Sequence, residues 1–154
     1  MTPTDVVIEV GSNIGTHTLA LSKMVNKGRV FAFEPQNVVF QNLCANISIN
    51  SITNCFCVNS ALSDKKDEEL YFPNYNFTKE YNFGGMSFLK TSKSDYTIQA
   101  NVDTLDDRFI SLNKLELLKT DAEGMDVNII KGDQIATCNG IFSVVPITLK
   151  KLLI

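Results

Sequence analysis

The chain predicts an α/β fold, a mostly parallel sheet with helices on both faces, and three observations predict it. The apolar run Val6-Val7-Ile8 reaches Glu9, turns through Gly11 to Gly15 and enters an amphipathic stretch carrying Leu19, Leu21, Met24 and Val25. A second short apolar run, Arg29 to Phe33, closes at Glu34 and leads into another helical stretch, and a third follows at Cys55 to Val58. The order is therefore βαβαβ, with connections short enough that the crossover rule makes the strands parallel and the helices right-handed crossovers.

Each element has its own signals. Lys27-Gly28 ends the first helix, and Pro35 suits the first position of the second, where a missing N–H costs nothing. That helix is expected from about Gln36 to Ile49, with Val39, Leu43, Ala45, Ile47 and Ile49 as its apolar side. Residues 65–101 are less regular, with possible strands at Leu70 to Phe72 and Tyr96 to Val102 around a polar aromatic segment, and read as an inserted hairpin or lid over the crevice. Thr104 is a fair cap for a helix from Leu105 to Leu112. Leu115 to Thr120 is a fourth strand, Val127, Ile129 and Ile130 mark a helix that stops at Gly132, and Ile141 to Ile147 is a candidate fifth strand. The 154 residues allow one domain with one core and no separate substrate domain.

Composition removes several classes of function. A formal net charge of −3, with only isolated Lys65-Lys66 and Lys150-Lys151 pairs, supplies no basic face for nucleic acid. Asn74-Tyr75 lacks the Pro-Pro of the Asn-Pro-Pro-Tyr signature found in enzymes that methylate nucleic-acid amino groups. The four cysteines and the single His17 do not have zinc spacing, and Cys55, Cys57, Cys44 and Cys138 are expected as buried free thiols in a reducing cytoplasm. Neither an amino-terminal signal nor a bilayer-spanning apolar run is read, so no membrane is expected.

Chemistry is expected at the carboxyl ends of the first two strands. Helix N–H groups open on a crevice there, and glycine at 11 and 15 removes Cβ atoms that would hold a ligand or the neighbouring strand away. Glu34 is placed to accept hydrogen bonds from both hydroxyls of a ribose. Glu9 is placed to meet a ligand's ammonium group or to brace the turn. A dinucleotide fits poorly, because Asn13 stands where the pyrophosphate-binding fingerprint needs its second glycine, so a phosphate-free cofactor is favoured over a nicotinamide. His17, in the first helical turn, is a candidate base.

At these residues the chain resembles the FkbM-type branch of S-adenosylmethionine-dependent methyltransferases. The resemblance rests on Val7 to Gly15, Gly28 to Pro35, Asn59 to Asp64, Val102 to Asp107, and Leu118-Lys119-Thr120-Asp121-Ala122-Glu123-Gly124, in family order over about residues 5 to 132. It implies a Rossmann-like methyltransferase fold, S-adenosyl-L-methionine as cofactor and methylation of a hydroxyl on a small molecule or sugar. By it, Glu9, Gly11, Ser12, Asn13 and Gly15 hold the methionine end, Glu34 the ribose, and Ser60 and Ala61 border the adenine. Asp121 and Glu123 then face the reactive methyl as candidate base or acceptor-positioning groups, with helix capping the structural alternative for Asp121. Together they offer too few oxygens to specify a metal. Glu9 departs from the aspartate common in the family.

The last 22 or so residues do not read like the closing antiparallel hairpin of such sheets, and the chain starts abruptly before the first strand. A domain truncated at the C-terminal edge, with an exposed sheet edge prone to self-association, is the expectation. An inactive cofactor-binding remnant is the alternative function.

Overall fold

The computed structural model describes residues 1–73, 97–112, 114–122, 124–132 and 144–146. The elements run β1 (Val6–Val10), α1 (Thr16–Met24), β2 (Arg29–Phe33), α2 (Asn37–Ile49), β3 (Cys55–Val58), β4 (Ala61–Leu62), β5 (Leu70–Pro73), β6 (Thr97–Ala100), β7 (Val102–Asp103), α3 (Leu105–Phe109), β8 (Leu117–Thr120), α4 (Asp126–Lys131) and β9 (Val144–Pro146).

Five strands form one sheet in the order β3-β2-β1-β8-β9, and every pairing within it is parallel. In the β1–β2 register Val7 lies beside Val30 and Glu9 beside Ala32. That face packs under α1 and α2, through Val7, Leu21, Val25 and Val30 and through Ala32, Leu43 and Ile47. The opposite face carries Ile8, Val10, Phe33 and Leu118 against Leu105 of α3 and Met125 and Ile129 around α4. Helices thus cover both faces, as β strands buried on both sides require. The helix after β1 lies on one face and the helix after β8 on the other. The strand order reverses between β1 and β8, which makes the carboxyl ends of these two strands the topological switch point, where open α/β sheets bind ligands.

Several expectations shift by a physical reason. Pro35 does not open α2: Gln36 is its N-cap, with Oε1 accepting from the N–H groups of Val38 (2.7 Å) and Val39 (3.1 Å), which leaves Pro35 one residue outside the cap. Of the expected apolar side of α2, Val39, Leu43 and Ile47 are buried while Ile49 is exposed. Thr104 does cap α3, accepting from Asp107 N–H, but that helix ends at Phe109.

The described ends of the 65–101 stretch pack into the core. β5 and β6 pair antiparallel, and Leu70, Phe72 and Ala100 are buried in the main core with Leu62 and Val102. β4 and β7 pair parallel beside them. The base of the hairpin is core because its strands alternate apolar residues toward Ile8 and Leu118; the polar aromatic segment at 74–96 lies outside the described residues. Cys44, Cys55 and Cys57 are free but half-buried, since β3 is the last strand on its side of the described sheet. Cys138 lies outside the described residues.

Candidate functional site

The turn from β1 to α1 is built by backbone bonds that only small or left-handed residues permit. Gly11 N–H and Ser12 N–H both donate to Phe33 C=O at 3.0 Å, which ties the turn to the end of β2. Gly11 has φ +75°, and a Cβ on it would stand 2.4 Å from Asp121 C=O. Gly15, with φ +93°, would place a Cβ 2.8 Å from Leu43 Cδ1. Both glycines therefore admit parts of the chain itself, the end of β8 and the side of α2. Asn13 takes a left-handed φ of +52° that asparagine tolerates, and its Oδ1 accepts from Ile14 N–H at 2.7 Å. Ser12 Oγ donates to Glu9 C=O at 3.2 Å.

Glu34 stands against this turn. Its Oε2 accepts from Asn13 N–H at 3.0 Å and its Oε1 from Gln36 N–H at 2.9 Å. The side chain is buried, and no cation pairs with it among the described residues. Burial pushes its pKa up to about 7, against the smaller opposing effect of the two N–H donors. Each oxygen keeps a lone pair for a further donor. Asn59, read above only as the start of the Asn59 to Asp64 motif and given no role, holds the Glu34 main chain from just after β3 by donating Nδ2 to Glu34 C=O (2.8 Å) and Pro35 C=O (3.1 Å).

Glu9 lies deeper, fully buried on the α1 face. Its Oε2 accepts from Thr18 Oγ1 at 2.6 Å, and Lys119 Nζ lies 3.0 Å from Oε1. The parallel register places Glu9 beside Lys119 on adjacent central strands, so the two charges meet inside the sheet. His17 Nδ1 is 4.0 Å from the same Oε1, with its ring mostly exposed at the start of α1. Sequence reasoning passed over Lys119. The signal was there: a lysine inside the buried run Leu117 to Thr120 needs an anion, and Glu9 is the acid in the neighbouring apolar run.

Across the switch point, Asp121 follows β8 and is half-buried, its N–H donating to Val10 C=O. Its carboxylate has no partner among the described residues and does not cap α4, whose N-cap is Met125 without a side-chain bond. Instead Asp126 Oδ1 accepts from Ala122 N–H at 3.2 Å. Glu123 lies outside the described residues. Ser60 and Ala61 are both buried, with Ser60 Oγ against Ala61 C=O, Asn101 C=O and Asp103 Oδ2, and the Ala61 methyl in the main core. Any ligand contact there is left to their main chain. Among the described residues no group of three or more His, Cys, Asp or Glu side chains is arranged to hold a metal ion, and no helix is long and apolar enough to cross a membrane.

The arrangement has counterparts in known proteins. The family described as the methyltransferase FkbM domain matches residues 9–150. The hexuronic acid methyltransferase AglP of Haloferax volcanii is 29% identical over 131 residues, covering 83% of this chain and 49% of that protein, so the chain spans about half the length of this curated relative. Among solved structures, the precorrin-6y C5,15-methyltransferase of Geobacter metallireducens aligns over 86% of this chain and 48% of its own, at 12% identity and a TM-score of 0.51. At that identity the likeness is one of fold.

Proposed function

The chain belongs to the FkbM methyltransferase family, and from that premise we propose that it binds S-adenosyl-L-methionine at the carboxyl ends of β1 and β2 and methylates a hydroxyl oxygen of a sugar or related small molecule. The observation that carries this reading is Glu34, a buried carboxylate with no cation among the described residues, held by two N–H groups beside the β1–α1 turn. An anion in such a place is costly unless further donors reach it, and the paired hydroxyls of a ribose are donors of the right kind. The residues present fit the cofactor on this chemistry. The Glu9 to Gly15 segment takes the amino-acid end and Glu34 the sugar, while Ser60 and Ala61 border the base through their main chain.

When bound, S-adenosylmethionine supplies an electrophilic methyl group on a sulfonium. The protein's part is to hold an acceptor hydroxyl in line and to take its proton as the oxygen attacks. Asp121 is suited to that proton, being half-buried, beside the Gly11 turn and without a partner among the described residues. Glu123 is kept as a second carboxylate of the same segment. His17 is a weaker base, because its ring is turned toward a carboxylate already engaged by Lys119. Glu9 braces α1 through Thr18 and is neutralised by Lys119, so the ammonium of the cofactor is left to the turn's carbonyls and to acceptors other than Glu9.

A saccharide acceptor is supported by the relative named as a hexuronic acid methyltransferase. The free thiols support a reducing cytoplasm as the compartment. The test is transfer of labelled methyl from S-adenosylmethionine to a panel of uronic acid glycosides and neutral sugars. Transfer is expected, and Asp121→Asn is expected to bind cofactor normally while losing at least about a hundredfold in turnover. Equal turnover by Asp121→Asn removes that residue from the mechanism.

A further inference from the structure

The sheet face under α2 carries a group of thiols that the methyltransferase reading does not use. Cys55 and Cys57 alternate onto the same face of β3, with Sγ atoms 4.0 Å apart. Cys44 of α2 lies near them, and its pKa is raised by burial first and by Cys57 after it. All three are half-buried and free. Two residues apart on a strand, Cys55 and Cys57 have Cα atoms about 6.6 Å apart, at the upper end of the span a disulfide bridges. Bridging them requires a local pucker of β3 that draws the two Cβ atoms together. Because β3 has a neighbour on one side only in the described sheet, it can make that pucker without breaking a second ladder.

We propose that Cys55 and Cys57 form a reversible disulfide under peroxide, and that its formation weakens cofactor binding by shifting the end of β3. The second half rests on the methyltransferase reading. The chemistry is balanced by the peroxide alone. The Cys55 thiolate attacks one peroxide oxygen, the O–O bond breaks, and water leaves with Cys55 as a sulfenic acid. Cys57 sulfur then attacks Cys55 sulfur, the S–S bond forms, the S–O bond breaks, and a second water carries away the hydroxyl and the Cys57 proton. Each sulfur loses one electron and the peroxide gains two.

Cys55 is the nucleophile of the pair. The thiol contact with Cys57, and after it the nearby Ser22, hold its pKa below the ordinary thiol range, while the same contact and burial push that of Cys57 up. The path to the site is short. Val58, next to Cys57, accepts Glu34 N–H at 3.0 Å, and Asn59 donates to Glu34 C=O at 2.8 Å. A pucker at Cys55 to Cys57 pulls on both bonds, and loss of one of them predicts a five- to tenfold drop in affinity.

The experiment uses the full chain treated with hydrogen peroxide, then intact mass and peptide mapping, with hydrogen exchange of the Glu34 amide and cofactor titration before and after dithiothreitol. Expected are loss of a pair of hydrogen atoms mapped to Cys55–Cys57, faster Glu34 exchange, an affinity loss of about five- to tenfold reversed by the thiol, and no response in Cys57→Ser. Oxygen addition without a disulfide, or a bond mapped to Cys44, overturns the pairing. A mapped Cys55–Cys57 bond with unchanged Glu34 exchange overturns the coupling. Absence of cofactor binding by the reduced wild type refutes the methyltransferase reading instead, since the mapping and exchange results need no cofactor.

Discussion

Replacing Lys119 by methionine keeps the length and apolar stem of the side chain and removes its charge. The Glu9 carboxylate it leaves behind is 1% exposed, and Lys119 itself is 9% exposed, so water does not take the cation's place. What remains is the Thr18 hydroxyl at 2.6 Å and the His17 ring at 4.0 Å, itself turned to solvent. Breaking a buried pair from one side costs about 3–5 kcal/mol, against a total stability of about 5–15 kcal/mol for a domain of this size. With a urea dependence of about 1–3 kcal/mol per molar, the unfolding midpoint falls by roughly 1–5 M. Glu9→Gln combined with Lys119→Met removes both charges and recovers most of the loss, so the double-mutant cycle shows coupling of at least about 2 kcal/mol. A Lys119→Met unfolding free energy within about 0.5 kcal/mol of wild type refutes the reasoning, because that is the range of a solvated surface charge.

Other consequences can be measured on the same material. Glu34 has an ordinary value of 4.5 and a folded value of about 7, so the folded state holds a proton that the unfolded chain releases between those limits. The stability this contributes is present below about pH 4.5 and is lost as pH rises through 7, by about 3 kcal/mol; denaturation across that range in Glu34→Gln should lose this slope. Ribose hydroxyls favour the ionised carboxylate, so cofactor affinity should climb by up to about tenfold from pH 6 to 8, and a flat wild-type profile speaks against the contact. Gly11→Ala meets Asp121 C=O at 2.4 Å from a strained φ, whereas Gly124→Ala, at φ +99°, meets only open space. Thermal melts should show a loss above about 2 kcal/mol for the first and about 1 kcal/mol for the second; equal losses would leave backbone conformation as the sole cause.

Much of the scaffold could be read from the order of residues, and the reasons are local. Val6 to Val10 and Arg29 to Phe33 are apolar runs bounded by acids and turn residues, and such runs bury on both faces only in a parallel sheet. The Glu34 position followed from the strand end alone, and the structure sets it beside the Gly11 turn. What escaped depended on partners distant in the chain. Lys119 meets Glu9 through a register that no spacing reveals, and Asn59 reaches Glu34 from the third strand. Gln36 takes a capping role seldom given to glutamine, so Pro35 was read two positions too far in. The stretch at 65–101 was read as an inserted hairpin or lid because its middle is polar, and its described ends, Leu70, Phe72 and Ala100, belong to the core.

Calorimetric titration of S-adenosylmethionine into the wild-type protein and into Glu34→Ala bears most directly on the central claim. The account predicts saturable binding to the wild type and a loss of about 1.5–3 kcal/mol in the variant, the worth of hydrogen bonds to a charged carboxylate. No binding at millimolar cofactor, or equal affinity in the two proteins, would contradict it.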